Sequence, residues 1–278
     1  MTLGVFLAVM CAAILHAGWN AIIKIGVSKQ TSMLLLSVGH AIIGIGVAAT
    51  HPVPAAEVWP WLLGSGVIHM LYQLFLAYAY EQGDLSRVYP IARGAAPMIV
   101  MIYSLMFLTD EMGTWDYAGV AVLGVGIALM ARGVFSNGES RRLLPYAFGS
   151  ALATAGYTLF DGLGARVSGE PLAYVGWLMI LSACFYTPAA IALRGGGVLR
   201  ADLRAWVLCL IAAAASFGAY AIAVWAMTVA PLALVAALRE TSILFAVLLG
   251  WLVFGDRMDR SKAAAAGLIV LGVVLTRI

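Results

Sequence analysis

Ala118-Gly119-Val120-Ala121-Val122-Leu123-Gly124-Val125 and Ala266-Gly267-Leu268-Ile269-Val270-Leu271-Gly272-Val273 are one apolar phrase written twice, 148 residues apart, with six of eight positions identical. Apolar helices resemble one another, so the match gains weight from what surrounds it. An offset of 146 pairs Arg93, Asp110 and Met112 with Arg239, Asp256 and Met258, and an offset of 138 pairs Ala17-Gly18-Trp19 with Ala155-Gly156-Tyr157. The matches keep the same order along the chain, and the change in offset fits the longer Arg194 to Arg204 linker of the second half. Self-similarity at this scale is the mark of a duplicated unit.

Marking the apolar runs bounded by Pro, Gly or charge gives ten spans: 3–27, 33–50, 57–80, 86–108, 115–133, 144–166, 171–193, 204–229, 231–254 and 261–277. The chain has 278 residues, of which 63% are hydrophobic and 10% charged, against about 25% charged in a soluble domain. Ten crossings of about 21 residues each leave no length for a separate soluble domain. The fold expected is all-α and integral to the membrane, with one five-helix repeat over 1–135 and a second over 143–278. Five crossings per unit is an odd number, so the second unit enters the membrane from the opposite side, the inverted-repeat plan of secondary transporters. Pro97 and Pro188 fall inside spans and are the expected kink positions. The excess of Lys and Arg in the odd-numbered loops, among them Arg87, Arg132, Arg141, Arg194 and Arg204, puts both termini outside by the positive-inside rule.

Several classes of function are excluded at this point. A net charge of +3 spread thinly along the chain makes no basic face for nucleic-acid phosphates. Cys11, Cys184 and Cys209 lie in apolar stretches without metal-ligand spacing, so no cofactor or metal is expected. The D-G-x-x-A-R run Asp161-Gly162-Leu163-Gly164-Ala165-Arg166 resembles the opening of the CDP-alcohol phosphotransferase motif. That motif continues through Gly and two further Asp, whereas here Val175 stands at the Gly position and no acid occurs between Glu170 and Asp202. An integral-membrane transferase centred on Asp161 is therefore the alternative and not the leading reading.

Lys24, Arg93, Asp161, Arg239 and Glu240 fall within spans, where a charge at the centre costs at least about 2.5–3.5 kcal/mol and normally faces a cavity or a partner. Arg93 and Arg239 enter from opposite sides to depths of roughly 10 and 12 Å at about 1.5 Å per residue, so they straddle the midplane. His16, Trp19, Asn20 and Lys24 share one helix face, and Thr154, Tyr157, Thr158 and Asp161 repeat the stripe in the sixth span. The third span adds His69, Tyr72, Gln73 and Tyr80, and the fourth Ser86, Tyr89 and Arg93. Such stripes can be interhelical hydrogen-bond glue, but aromatics with charges of both signs favour a binding chamber. The expected substrate-contacting set is Trp19, Asn20, His69, Tyr72, Tyr89, Arg93, Tyr157, Asp161, Arg239 and Glu240. Guanidinium forks suit a carboxylate or phosphonate, an acid suits an ammonium, and aromatic faces suit an apolar or methylated-amine portion.

Four segments carry a family resemblance: His16-Ala17-Gly18-Trp19-Asn20 with Lys24, the run Gly83 to Gly94 (GDLSRVYPIARG), Tyr157 with Asp161-Gly162, and Ala237-Leu238-Arg239-Glu240-Thr241-Ser242. Over essentially its whole length the chain resembles the drug/metabolite transporter superfamily, in its ten-helix branch with two EamA-type repeats. The resemblance implies a central cavity between the repeats, alternating access, a small-molecule cargo such as an amino acid, amine or aminophosphonate, and export across a bacterial inner membrane. A monomer or homodimer in lipid is expected. Two features depart from relatives: the first span lacks the membrane Glu of the four-helix proton exchangers, and relatives are commonly drawn with cytoplasmic termini.

Overall fold

The computed structural model describes residues 1–25, 28–82, 96–131, 142–254 and 260–278, and among these there is no strand. The helices are α1 (Leu3–Ile25), α2 (Lys29–Ala48), α3 (Trp59–Gln82), α4 (Ala96–Phe107), α5 (Thr114–Ala131) and α6 (Leu143–Ser168). They continue as α7 (Pro171–Arg194), α8 (Leu203–Val229), α9 (Leu232–Arg239), α10 (Ser242–Phe254) and α11 (Arg260–Leu275). Leu232–Leu252 is continuous in apolar character and long enough to cross once, so α9 and α10 are two parts of one span. The chain is an all-α, multi-pass membrane protein whose helices, among the described residues, group into ten segments, six of them long and apolar enough to cross a membrane by themselves.

Local chemistry sets the helix ends. Ser28 accepts the Thr31 N–H to start α2, and Asp202 accepts the Ala205 N–H to start α8, each satisfying a donor the first turn leaves open. Pro171 opens α7 where its missing N–H costs nothing. Gly169 closes α6 at φ 68°, a conformation only glycine takes cheaply. Helix α7 continues through Pro188 to Arg194. The interruption falls instead in the ninth span at Glu240 and Thr241, without Pro or Gly. There the N–H groups of Glu240 and Thr241 reach back three residues, to the carbonyls of Ala237 and Leu238, 3.0 and 3.1 Å away.

The packing has two-fold internal symmetry. The most extensive helix contacts are α3 with α6, α1 with α8, α2 with α7, and α5 with α11. Exchanging each span for the one five later turns the first pair into the second and returns the third and fourth to themselves, as a duplicated five-helix unit requires. The two self-related contacts are both made by glycines. A Cβ on Gly44 would lie 2.6 Å from the Gly176 carbonyl oxygen, and one on Gly119 would lie 2.7 Å from the Gly272 carbonyl oxygen. Small residues at these crossings let backbones meet where lipid supplies no hydrophobic drive.

A polar clamp ties the repeats at one end. Asp110, just after α4, receives Arg166 Nη1 at 2.8 Å and Nη2 at 2.9 Å, and its Oδ2 also accepts the Leu232 N–H that begins α9. Arg166 donates further to the carbonyls of Met227 and Ala230. Burial pushes the Asp110 carboxyl up, but these hydrogen bonds and the guanidinium charge hold it below the usual carboxylate range.

Candidate functional site

The polar stripes of α1 and α3 and the repeat-equivalent stripe of α6 converge on one cavity of about 70 Å³. Its walls come from α1–α3 of the first repeat and α6–α9 of the second: His16 and Trp19, His40, His69 and Tyr72, Tyr157, Tyr220 and Arg239 among them. Helical spacing is the local cause: i, i+3 and i+4 positions share a face, and the close crossings of α3 with α6 and α1 with α8 turn those faces toward one another.

The aromatic wall is specific. Tyr157 stacks on His69 with ring centroids 4.2 Å apart and meets Tyr72 edge-on at 5.4 Å. Trp19 is pinned by donating its indole N–H to His16 Nδ1 at 3.2 Å. Gln73 donates to Ser182 across the α3–α7 contact at 3.0 Å. Arg239 lies at the C-terminal end of α9, next to the helix break, 7% exposed, with its guanidinium carbon 5.3 Å from the Tyr220 ring centroid. Among the described residues its Nη1 has no hydrogen-bond partner. A buried guanidinium nitrogen without an acceptor is costly, and it belongs to a side chain that forms part of the cavity wall.

Asp161 is 0% exposed and does not line the cavity. Its Oδ1 accepts the Tyr174 hydroxyl at 3.1 Å; its Oδ2 accepts the Tyr220 hydroxyl and lies 3.1 Å from His69 Nε2. Tyr220 and His69 therefore stand between this carboxylate and the cavity. Two phenol hydroxyls donate to this carboxylate, and one imidazole nitrogen lies within hydrogen-bond distance of it.

Of the ten residues expected from sequence, Trp19, His69, Tyr72, Tyr157 and Arg239 line the cavity. Asn20 is turned along its own helix, donating to the His16 carbonyl at 2.8 Å, and is not in the lining. Asp161 lies one layer behind, and Glu240 is buried beside Arg239 at the helix break. Tyr89 and Arg93 lie outside the described residues, as does the side chain of Lys24. Sequence reading missed His40, Tyr174 and Tyr220. Tyr220 had one available signal: it lies one helical turn from Ser216, and the two are the polar positions on that face of an otherwise apolar span.

The arrangement does not favour the transferase alternative. Both oxygens of Asp161 are already engaged by phenols or an imidazole, and among the described residues no three His, Cys, Asp or Glu side chains are grouped to hold a metal.

Comparison with known proteins bears on the fold and the family. Among curated proteins, none matches the chain. A solved crystal structure of a protein matches with a TM-score of 0.76 at 16% identity, covering 99% of this chain and 96% of the other, which establishes a shared fold. The family model described as EamA-like transporter family matches residues 2–132 and again 142–278. The chain is a two-repeat member of the EamA-like transporter family, and hence a membrane transporter.

Proposed function

We propose that the protein is a secondary transporter that exports small amino-acid-like metabolites by alternating access, with the cavity between the repeats as its solute site. The observation that carries this reading is Arg239: a buried guanidinium with an unsatisfied Nη1 at a helix break, facing a cavity walled by aromatics from both repeats. Broken spans at repeat interfaces are where transporters bind cargo. A carboxylate or phosphonate supplies the acceptors that Arg239 lacks, in the fork geometry guanidinium prefers. The ammonium end meets the faces of Trp19, Tyr72 and Tyr157 through cation–π attraction, since Asp161 is set behind Tyr220 and His69.

Size supports a small cargo. A cavity of about 70 Å³ for water centres holds roughly five waters at about 10–15 Å³ each, or about 150 Å³ of liquid water. That is the scale of one amino acid. Export is the direction implied by the resemblance to amino-acid exporters, with transport across a bacterial inner membrane.

Ligand entry should be visible through Trp19. Intrinsic fluorescence of the protein in lipid nanodiscs, minus that of a Trp19→Phe variant, is recorded while phenylalanine, alanine, 2-aminoethylphosphonate or choline is added. A saturable change at micromolar to millimolar concentration from an acid-bearing solute is expected. No change from any acid, with choline alone active, would contradict the role given to Arg239.

A further inference from the structure

Asp161 presents a problem that solute binding alone does not solve. A fully buried carboxylate that never touches the cargo is expensive to keep in a membrane span. It is nevertheless held by two phenol donors, Tyr174 and Tyr220, and by the imidazole of His69 at 3.1 Å, and His69 lines the cavity. We propose that His69 and Asp161 form a proton-binding site that opens onto the solute cavity and moves a proton together with each acid-bearing solute, whose carboxylate or phosphonate group is the anion that Arg239 receives. The inference rests on the carrier reading above.

The chemistry balances with one proton. In the resting pair His69 donates Nε2–H to Asp161 Oδ2, which leaves Nδ1 as the basic nitrogen and the pair with one negative charge. A proton from cavity water binds at Nδ1, giving an imidazolium–carboxylate pair of zero net charge, and the same nitrogen releases it to the opposite side after the cavity changes access. No other bond forms or breaks.

The neighbours of the pair account for its link to cargo. Tyr174 from α7 and Tyr220 from α8 hold the carboxylate, and Tyr157 from α6 lies flat on the imidazole. Arg239 from α9 sits over the Tyr220 ring, and His16, His40 and Tyr72 share the cavity wall. Arg166, further along α6, is committed to Asp110. Glu57, on the turn before α3, is exposed, and α4 brings no charged side chain across Ala96–Phe107. Arg239 and a protonated His69 are therefore cations on one small cavity. A solute anion bound there attracts the proton, and a bound proton attracts the anion; the two effects are reciprocal. Proton and anion then travel in the same direction, so the outward gradient of the metabolite carries a proton with it.

The test is a ratio. Proteoliposomes enclosing a pH-sensitive dye are given labelled phenylalanine, alanine or 2-aminoethylphosphonate, and protons moved are divided by solute moved. The wild type should give about one proton per solute, in the same direction, as a single proton site in the His69–Asp161 pair requires. Asp161→Asn and His69→Gln should bring the ratio near zero at whatever residual rate each retains. A ratio near zero in the wild type, or wild-type ratios in both variants, would overturn the proton site and leave the carrier reading intact. A folded wild type that moves none of the three solutes would overturn both.

Discussion

Arg239 sits on the face of the Tyr220 ring whose hydroxyl donates to Asp161. Among the described residues no ion pair joins the guanidinium to that carboxylate, so a phenol holds apart two opposite charges that sequence alone would pair. The guanidinium is thereby kept available to the cavity. Replacing Arg239 by Ala should lower solute transport by about 10- to 100-fold, the loss of one charge-assisted hydrogen bond at about 1.5–3 kcal/mol. The thermal midpoint should hold or rise, because a buried unsatisfied donor is removed. Uptake assays paired with a thiol-dye melting curve check both outcomes; normal transport would remove Arg239 from the site.

The Asp110–Arg166 clamp gives a stability prediction with a defined pH sign. The Asp110 carboxyl is held below its unfolded value of 3.8, so its contribution is fully present above that value and is lost as pH falls through the lower folded one. Asp110→Asn should lower stability by about 1–3 kcal/mol at neutral pH, and the difference from wild type should shrink below about pH 4. Melting curves from pH 7 to pH 3 read this directly. A difference that grows on acidification would contradict the assignment.

The glycine crossings make a third prediction. A methyl on Gly44 or Gly119 meets a carbonyl oxygen of the facing backbone at 2.6 or 2.7 Å, and backbone does not yield cheaply. Gly44→Ala and Gly119→Ala should each destabilise by about 1–3 kcal/mol. Gly46, which has nothing within 4 Å, should accept Ala with a gain of up to about 1 kcal/mol from helix propensity. Equal effects at all three positions in a denaturation series would contradict the crossing geometry.

Tyr174 donates to a carboxylate with no exposure. Tyr174→Phe keeps the ring and deletes that donor, and a loss of about 1.5–3 kcal/mol is expected for a hydrogen bond to a charged group. Tyr186→Phe, a buried tyrosine lower on the same helix, serves as the reference. A Tyr174→Phe protein as stable as the reference variant would show that Asp161 does not depend on this hydroxyl.

The fold was legible because the features that set it are local. Hydropathy marks the spans, and the repeated phrase at Ala118 and Ala266 marks the duplication. The cavity wall was legible on α1, α3 and α6, where His16, Trp19, His69, Tyr72 and Tyr157 form stripes of polar and aromatic residues. What escaped depends on which face meets which neighbour. Tyr174 looks like a helix-start aromatic until α7 packs near α6 and its hydroxyl reaches Asp161. Asp110 and Arg166 read as loop charges on different connections, and only the fold brings them into a bidentate pair. Asn20 followed the stripe rule yet bonds its own backbone, because an amide one turn above a carbonyl has a partner at hand. The break in the ninth span has no Pro or Gly to announce it. Its polar run Arg239 to Ser242 is the one signal, and it predicts charge in the span rather than a two-residue tightening of the helix at Glu240 and Thr241.

Counterflow into proteoliposomes tests the central claim most directly. Vesicles loaded with unlabelled phenylalanine, alanine or 2-aminoethylphosphonate are diluted into the labelled solute, alongside the matching amides of the two amino acids. Transient accumulation of at least one acid-bearing solute and none of the amides is expected, since only the acid offers Arg239 a charged pair of oxygens. Equal accumulation of acids and amides, or none of either by folded protein, would contradict it.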